Sequence, residues 1–105
     1  RAMQAEKPLK EAIRLKPAFV YSYYNLSSIL IESGNFAEAE IYTRKALELK
    51  PDLVEANYNF SRILRYYGKY EQASFYSKKI VEIRPWSIIG SYALNHFSPS
   101  IDLVS

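Results

Sequence analysis

The stretch Ala46–Phe60, ALELKPDLVEANYNF, places one proline between two runs that each look helical. Because proline donates no N–H and its ring disfavours helical geometry in the preceding residue, Pro51 should end one helix near Leu49 and start the next. Similar stretches surround Pro17 and Pro85, which lie 34 residues to either side of Pro51. The sequence therefore contains an internal repeat with a proline at each corner.

The same period extends to the residues between the prolines. Gly34 aligns with Gly68, and each glycine lies between two segments with apolar residues at helical spacing. Phe36 and Tyr70 are aligned two residues after these glycines. Glycine suits the residue just past a helix end, because it readily adopts the positive φ that closes the last turn. Each unit is therefore predicted to be a helix, a tight turn, a second helix and a proline corner.

Composition limits the class of protein. The 105 residues are enough for one domain, and 49% of them are hydrophobic. The absence of cysteine excludes disulfides and thiolate metal sites. The 14 basic and 11 acidic residues are interleaved, so the net charge of +3 does not by itself indicate nucleic-acid binding. No apolar run is long enough to span a bilayer, and the sequence starts with charged residues. We expect a cytoplasmic protein with no membrane or nucleic-acid partner.

The sequence contains no recognisable catalytic, metal or cofactor site. His96 is the single histidine and has no carboxylate or thiol at ligand spacing. The three glycines, Gly34, Gly68 and Gly90, lie too far apart to form a phosphate-binding loop. We therefore expect a protein that is not an enzyme and that uses no cofactor and no metal.

The repeat resembles the tetratricopeptide repeat, whose 34-residue pattern is W-x2-L-G-x2-Y, then A-x3-F, then P. Residues 20–53 match it with Tyr23, Leu26, Ser27, Leu30, Ala39, Thr43, Ala46 and Pro51. Residues 54–87 match it with Asn57, Phe60, Ser61, Leu64, Ala73, Ser77, Ile80 and Pro85. The sequence departs from the pattern with Tyr or Asn in place of Trp, with Ser in place of Gly, and with a small hydroxyl residue in place of the second-helix Phe.

The resemblance implies an all-α fold in which helix-turn-helix repeats stack as a right-handed α-solenoid. Residues 1–19 are expected to form the second helix of a partial repeat, and residues 20–53 and 54–87 two full repeats. Residues 88–105 are expected to form a C-terminal helix of another partial repeat, followed by a tail. Half repeats at both ends indicate a piece of a longer array.

In this family the first helix of each repeat lines a concave groove, on the face opposite its core residues. The core stripe is expected to contain Tyr23, Leu26, Leu30, Asn57, Phe60 and Leu64. The opposite face, which we call the groove stripe, contains Tyr21, Tyr24, Asn25, Ser28, Glu55, Tyr58, Asn59, Arg62, Arg65 and Tyr66. Tyrosine and arginine are enriched at binding hot spots. The resemblance therefore implies a groove for an extended peptide or partner segment.

Two aligned asparagines in the groove stripe suggest how a peptide would be held. The amides of Asn25 and Asn59 could each pair with the N–H and C=O of a peptide backbone. A similar asparagine ladder occurs in the repeat arrays of O-GlcNAc transferases, although Ala93 stands at the third aligned position here. The alternative is that these amides bind a neighbouring helix.

The groove stripe also contains a cluster of Tyr58, Arg62, Arg65 and Tyr66. Guanidinium groups beside aromatic rings could bind a carboxylate while stacking on the rings. The site that precedes Asn25 is Tyr24, where the family's chaperone-tail clamps have lysine. That difference argues against recognition of a chaperone tail.

Three classes of function fit these features. The first is a non-catalytic scaffold that binds a peptide or partner segment in the groove. The second is a substrate-positioning array of a larger enzyme, such as a glycosyltransferase. The third is an RNA-binding helical repeat, which the pI of about 9.1 favours and which Glu32 and Glu55 disfavour.

The C-terminal segment is apolar and carries little charge. Its large side chains are Trp86, Ile88, Ile89, Tyr92 and Phe97. One helix can pack only one stripe against the preceding repeat, so the rest would form an unusually large exposed patch. We expect residues 86–105 to mediate self-association, either as a two-fold dimer or by stacking on the incomplete N-terminal repeat of another copy. In a longer protein the same surface would contact the next repeat or a following domain, and a tail that folds back over the patch is the alternative.

Overall fold

The computed structural model describes residues 2–83 of the chain, with side chains from Gln4 onward. Within this range there are five helices and no strand: α1 (Ala2–Leu15), α2 (Val20–Glu32), α3 (Phe36–Leu49), α4 (Val54–Tyr66) and α5 (Tyr70–Ile83). Each helix packs against the next, α2 also contacts α4, and the molecule measures 47 × 23 × 21 Å. This arrangement confirms the predicted all-α solenoid. The helix predicted within residues 88–105 lies outside the described residues.

The proline corners separate the repeats as the sequence predicts. α3 ends at Leu49, two residues before Pro51. The N–H of Leu53 donates to the carbonyl of Lys50 at 3.2 Å and closes the corner. The corner between α1 and α2, at residues 16–19, has the same hydrogen bond at the same distance. Consecutive repeats are therefore joined by nearly identical turns.

Glycine closes the turn inside each helix pair. Gly34 has a φ of 81° and Gly68 a φ of 79°. The N–H of Gly34 donates to the carbonyl of Ile31 at 3.0 Å, and the N–H of Asn35 donates to the carbonyl of Leu30 at 2.7 Å. These two bonds form a Schellman motif, in which glycine avoids the steric cost of positive φ. The turn at Gly68 repeats the pattern.

Small residues let α3 and α5 approach their neighbours closely. The residues with no exposed surface are Ala39, Thr43 and Ala46 in α3, and the aligned Ala73, Ser77 and Ile80 in α5. The hydroxyl of Thr43 donates to the carbonyl of Ala39 at 2.8 Å, and Ser77 makes the equivalent bond at 3.1 Å. Because these hydroxyls are satisfied within their own helices, a small polar residue is tolerated where the family pattern has phenylalanine.

Tyr23 and Asn57 stand where the repeat pattern has tryptophan, and both make the same kind of hydrogen bond. The hydroxyl of buried Tyr23 donates to the carbonyl of Pro17 at 2.6 Å. The Nδ2 of buried Asn57 donates to the carbonyl of Pro51 at 3.0 Å and to that of Leu53 at 2.8 Å. Each side chain therefore ties the first helix of its repeat to the preceding corner. Both residues lie in the core, as predicted.

Helix α1 is linked to α3 by an ion pair at the surface. It contains Pro8, which lacks the N–H that an interior helical residue normally donates. The Nζ of Lys10 lies 3.0 Å from Glu6 in the same helix and 3.1 Å from Glu38 in α3. These carboxylates raise the pKa of Lys10. The ion pair between Lys10 and Glu38 links α1 to α3. Because both side chains are partly exposed to solvent, the pair contributes little to stability.

Replacing Tyr23 with phenylalanine tests the tie between a first helix and its corner. Tyr23→Phe keeps the buried ring but leaves the Pro17 carbonyl without this donor, so the free energy of unfolding should fall by about 0.5–1.5 kcal/mol. Urea denaturation followed by circular dichroism measures the change. Tyr21→Phe, which removes an exposed hydroxyl from the same helix, is the control and should leave the unfolding midpoint unchanged. Equal midpoints for both variants would show that the bond adds nothing to stability.

Candidate functional site

The groove stripe and the core stripe occupy opposite faces of α2 and α4. All six predicted core residues are buried. In the groove stripe, Tyr21, Asn25 and Tyr66 are exposed, whereas Tyr24, Ser28, Glu55, Tyr58, Arg62 and Arg65 are half-buried. Asn59 is the exception, because it is buried between the two helices. The two halves of the stripe meet where Asn59 contacts Ser28 of α2.

The two aligned asparagines have different surroundings. Asn25 is exposed, whereas Asn59 is only 2% exposed. The Nδ2 of Asn59 donates to the hydroxyls of Ser27 at 3.0 Å and Ser28 at 2.9 Å, both on α2. This amide nitrogen therefore links the first helices of consecutive repeats, which is the alternative considered from the sequence. Only Asn25 presents its amide to solvent.

Three members of the predicted cluster meet at the end of α4. Arg62, Arg65 and Tyr66 line an open cleft of about 300 Å³ together with Phe36 and Tyr70. Phe36 begins α3 and Tyr70 begins α5. The groove prediction omitted these two aromatics, although their alignment after the glycine turns was a signal in the sequence. The turns carry them to the end of α4, where they complete the cleft.

The cleft has an aromatic wall. The rings of Phe36 and Tyr66 are stacked, with centroids 3.9 Å apart and planes inclined by 7°. Tyr66 also meets Tyr67 edge to face at 5.2 Å. Contacts of this kind favour the observed ring arrangement by about 0.5–1.5 kcal/mol for each pair.

The guanidinium of Arg62 is held over an aromatic ring at the edge of the cleft. Its Cζ lies 5.6 Å from the centroid of Tyr58, within the range of a cation–π contact. Among residues 2–83, Arg62 forms no ion pair with a carboxylate. Arg65 lines the same cleft and has other interactions within the protein. Arg62 therefore keeps hydrogen-bond donors for an anionic group.

The start of α4 carries a carboxylate with one buried oxygen that accepts no hydrogen bond from the described residues. Glu55, in the first turn of α4, is half-buried. Its Oε1 is buried, and no donor among the described residues reaches it. Buried carboxylate oxygens usually accept a hydrogen bond, so this atom is an unsatisfied acceptor within the groove stripe. The groove stripe of α4 thus has an acceptor at its start and cationic donors near its end.

The described residues provide no metal-binding group and no membrane-spanning helix. Between residues 2 and 83, no three His, Cys, Asp or Glu side chains come together as metal ligands. No helix in that range is both long enough and apolar enough to cross a bilayer.

The residues predicted for self-association lie outside the described residues. They are Trp86, Ile88, Ile89, Tyr92 and Phe97. Their role stays a prediction from the sequence.

Comparisons with solved structures support the same fold. The Arabidopsis OM64 TPR domain superposes with a TM-score of 0.87 at 21% identity, over 95% of this chain and 83% of that one. The first TPR of Spaghetti (RPAP3), bound to the HSP90 peptide SRMEEVD, gives a TM-score of 0.86 at 19% identity, over 99% of this chain and 81% of that one. At these identities the likeness concerns the fold alone.

Comparison at the level of sequence identifies the repeat. A search of curated proteins gave no match. The family model for the tetratricopeptide repeat matches residues 20–53 and residues 54–85, which together make up more than half of the chain. These matches coincide with the α2–α3 and α4–α5 helix pairs. The chain therefore belongs to the tetratricopeptide repeat family.

Proposed function

We propose that this chain is a non-catalytic, cytoplasmic scaffold that binds an extended peptide or partner segment along the groove stripe of α2 and α4. The observation that carries the proposal is the cleft at the end of α4, where Arg62 and Arg65 meet an aromatic wall. A site with cationic donors and stacked rings suits a partner with a carboxylate next to an apolar or aromatic group.

The charges along α4 suggest how a bound segment would be oriented. Arg62 follows Glu55 by seven residues, which is about 10 Å along a helix axis. An extended peptide covers that distance with about three residues. A carboxylate of the partner would bind at Arg62, and an N–H about three residues away would donate to the half-buried carboxylate of Glu55. The exposed amide of Asn25 on α2 would pair with the peptide backbone between these points.

The solved relatives support a protein-interaction role at a coarse level. One of them is bound to a peptide of HSP90. In this chain Tyr24 stands where the clamps for such tails have lysine, and the cationic groups of the groove stripe both belong to the second half of α4. We therefore propose an acidic partner segment whose sequence differs from a chaperone tail.

A substrate-positioning array of a larger enzyme is the second candidate. The exposed amide of Asn25 favours it, because that amide could hold a substrate chain by its backbone. Asn59 argues against this candidate, because its amide nitrogen already donates to the hydroxyls of Ser27 and Ser28. Both candidates use the same groove and require no chemistry from this chain.

Comparing the two asparagines separates a structural amide from a binding amide. Asn59→Ala should lower the free energy of unfolding by about 1–3 kcal/mol, because it removes a buried amide that satisfies two serines. Asn25→Ala should leave stability unchanged and weaken peptide binding. Urea denaturation and fluorescence anisotropy measure the two effects. If Asn59→Ala unfolds at the wild-type midpoint, the α2–α4 amide bridge is unimportant. If Asn25→Ala binds like wild type, this amide has no role in the groove.

Truncating Arg62 tests the anionic anchor. The probe is an array of fluorescent octapeptides in matched pairs, one of each pair carrying Asp or Glu and the other Asn or Gln. Arg62→Ala should weaken binding of the acidic members by about 1–3 kcal/mol, because a charge-assisted hydrogen bond is lost. Binding to the wild-type protein should also weaken as salt is raised.

The matched control is Arg44→Ala. Arg44 pairs with Glu40 and lies over Phe60, outside the groove stripe. Its truncation should leave acidic peptides bound as before. Affinities that do not change with Arg62→Ala, with salt, or between the acidic and amide peptides would contradict the proposed anchor. Binding of single-stranded RNA in preference to every peptide would favour the RNA-binding alternative.

A further inference from the structure

Glu55 and Arg62 place two opposite charges on one face of α4. They are seven positions apart, which is about two turns of a helix, so both side chains leave α4 on the same side. Tyr58 lies between them in the sequence, and the guanidinium of Arg62 is held over its ring at 5.6 Å. This face therefore presents an acid, an aromatic ring and a base in that order along the groove stripe.

Neither charge is paired within the described part of the protein. Among residues 2–83, no Lys or Arg forms an ion pair with Glu55, and no carboxylate forms one with Arg62. One oxygen of Glu55 is also buried without a donor from these residues. A partly buried carboxylate is stabilised by a partner, and charge-assisted hydrogen bonds are stronger than neutral ones. A cationic group therefore complements Glu55 better than a neutral N–H does.

The position of Glu55 remains accessible when a further first helix packs beside it. Tyr21 aligns with Glu55 in the preceding repeat, where α4 packs against α2. Tyr21 is nevertheless 42% exposed. A first helix that packed against α4 in the same way would therefore leave position 55 open to the groove.

Tyrosine rings accompany the two charges along the groove stripe. Tyr21 and Tyr66 are exposed, and Tyr24 and Tyr58 are half-buried. Grooves lined with aromatic side chains are typical binding sites for polyproline II segments, whose preformed conformation loses little entropy on binding. The tyrosines therefore favour this extended conformation for the partner.

The spacing of the two charges agrees with the polyproline II conformation. A polyproline II helix has three residues per turn and rises about 3.1 Å per residue, so side chains three positions apart point the same way and lie about 9 Å apart. The seven positions from Glu55 to Arg62 span about 10 Å along α4. In a β-strand, by contrast, side chains three positions apart point to opposite faces.

We propose that the partner segment binds in the polyproline II conformation and carries a basic residue three positions from its acidic residue. The acidic residue pairs with Arg62 while the basic residue pairs with Glu55. This inference rests on the proposed function, and it adds a second charge, the spacing between the two charges and the backbone conformation of the partner.

Fluorescent octapeptides with one lysine and one aspartate test the spacing. The separation of the two residues varies from one position to six at constant composition, in both orders, because a polyproline II segment can bind in either direction. Affinity for the wild-type protein, measured by fluorescence anisotropy, should be highest at a separation of three in at least one order. Equal affinities at every separation, or a maximum at a different one, would overturn the proposal.

Glu55→Gln tests the contact with the lysine. The variant keeps the size of the side chain and removes its charge. It should weaken binding of the best peptide about tenfold, because a charge-assisted hydrogen bond is lost. The same peptide with norleucine in place of lysine should bind to the variant as it binds to wild type. An equal loss for both peptides would show that Glu55 does not contact the lysine.

Glu48→Gln is the matched control for this substitution. Glu48 lies on α3, outside the groove stripe, and pairs with Lys45. Its substitution should change the affinity of neither peptide. An effect as large as that of Glu55→Gln would mean that the general charge of the protein, and no contact at Glu55, determines the affinity.

Glu55→Lys provides a gain of affinity that a loss of folding cannot imitate. This variant should bind peptides with two aspartates three positions apart more tightly than wild type does. The absence of such a gain would contradict the charge pairing.

The residues between the two charges test the conformation. Prolines at both intervening positions should bind to wild type more tightly than glycines there, because proline favours the polyproline II conformation before binding. Glycine peptides that bind as tightly as proline peptides would contradict the proposed conformation.

The same peptides distinguish this inference from the proposed function. If acidic peptides bind through Arg62 but lysine adds nothing at any separation, the inference is wrong and the peptide-binding scaffold stands. If no peptide binds at all, the groove stripe is not a peptide site and both are wrong.

Discussion

The structure depends on the close approach of helices to the small residues at the centre of α3. Ala39, Thr43 and Ala46 have no exposed surface, because α2 covers them from one side and α4 from the other. A helix pair alone cannot enclose its apolar face, so each repeat is stable only against a neighbour. The proline corners and glycine turns set the chain direction that brings α2 and α4 to this contact. The groove stripe is then formed by whatever side chains lie on the opposite face of these two helices.

The repeat made the fold predictable from sequence, whereas the site was predictable only in part. Proline corners, glycine turns and the core stripe each follow from local backbone preferences or from apolar spacing, which a sequence displays directly. The environment of Asn59 could not be obtained in this way, because it depends on two serines 31 and 32 residues earlier that reach it only after α2 and α4 have packed. Phe36 and Tyr70 were missed for a related reason. They belong to second helices, and the glycine turns carry them to the end of α4.

The site arises where the two repeats differ. The core, glycine and proline positions carry similar residues in the two repeats. At the groove stripe, however, Ser28 aligns with Arg62 and Tyr21 aligns with Glu55. These differences place the charged groups of the groove stripe on α4, while α2 contributes tyrosine, serine and the exposed Asn25. A repeat frame holds the backbone constant and lets surface positions vary independently, so one end of the groove can acquire a charged cleft without any change in the core. The alignment that reveals the fold therefore also reveals, through its exceptions, where the proposed recognition site differs between the repeats.

Polar residues inside the core restrict how the repeats can stack. The hydroxyls of Thr43 and Ser77 donate to carbonyls of their own helices, so they need no partner on a neighbouring helix. Asn59 is different, because its amide is satisfied across the α2–α4 interface. A shift of α4 along α2 by one turn would move the amide about 5 Å from the serines and leave a buried donor unsatisfied, a loss of about 1–3 kcal/mol. The asparagine bridge thus favours one register of α4 on α2, and with it the relative positions of Asn25 on α2 and Arg62 on α4.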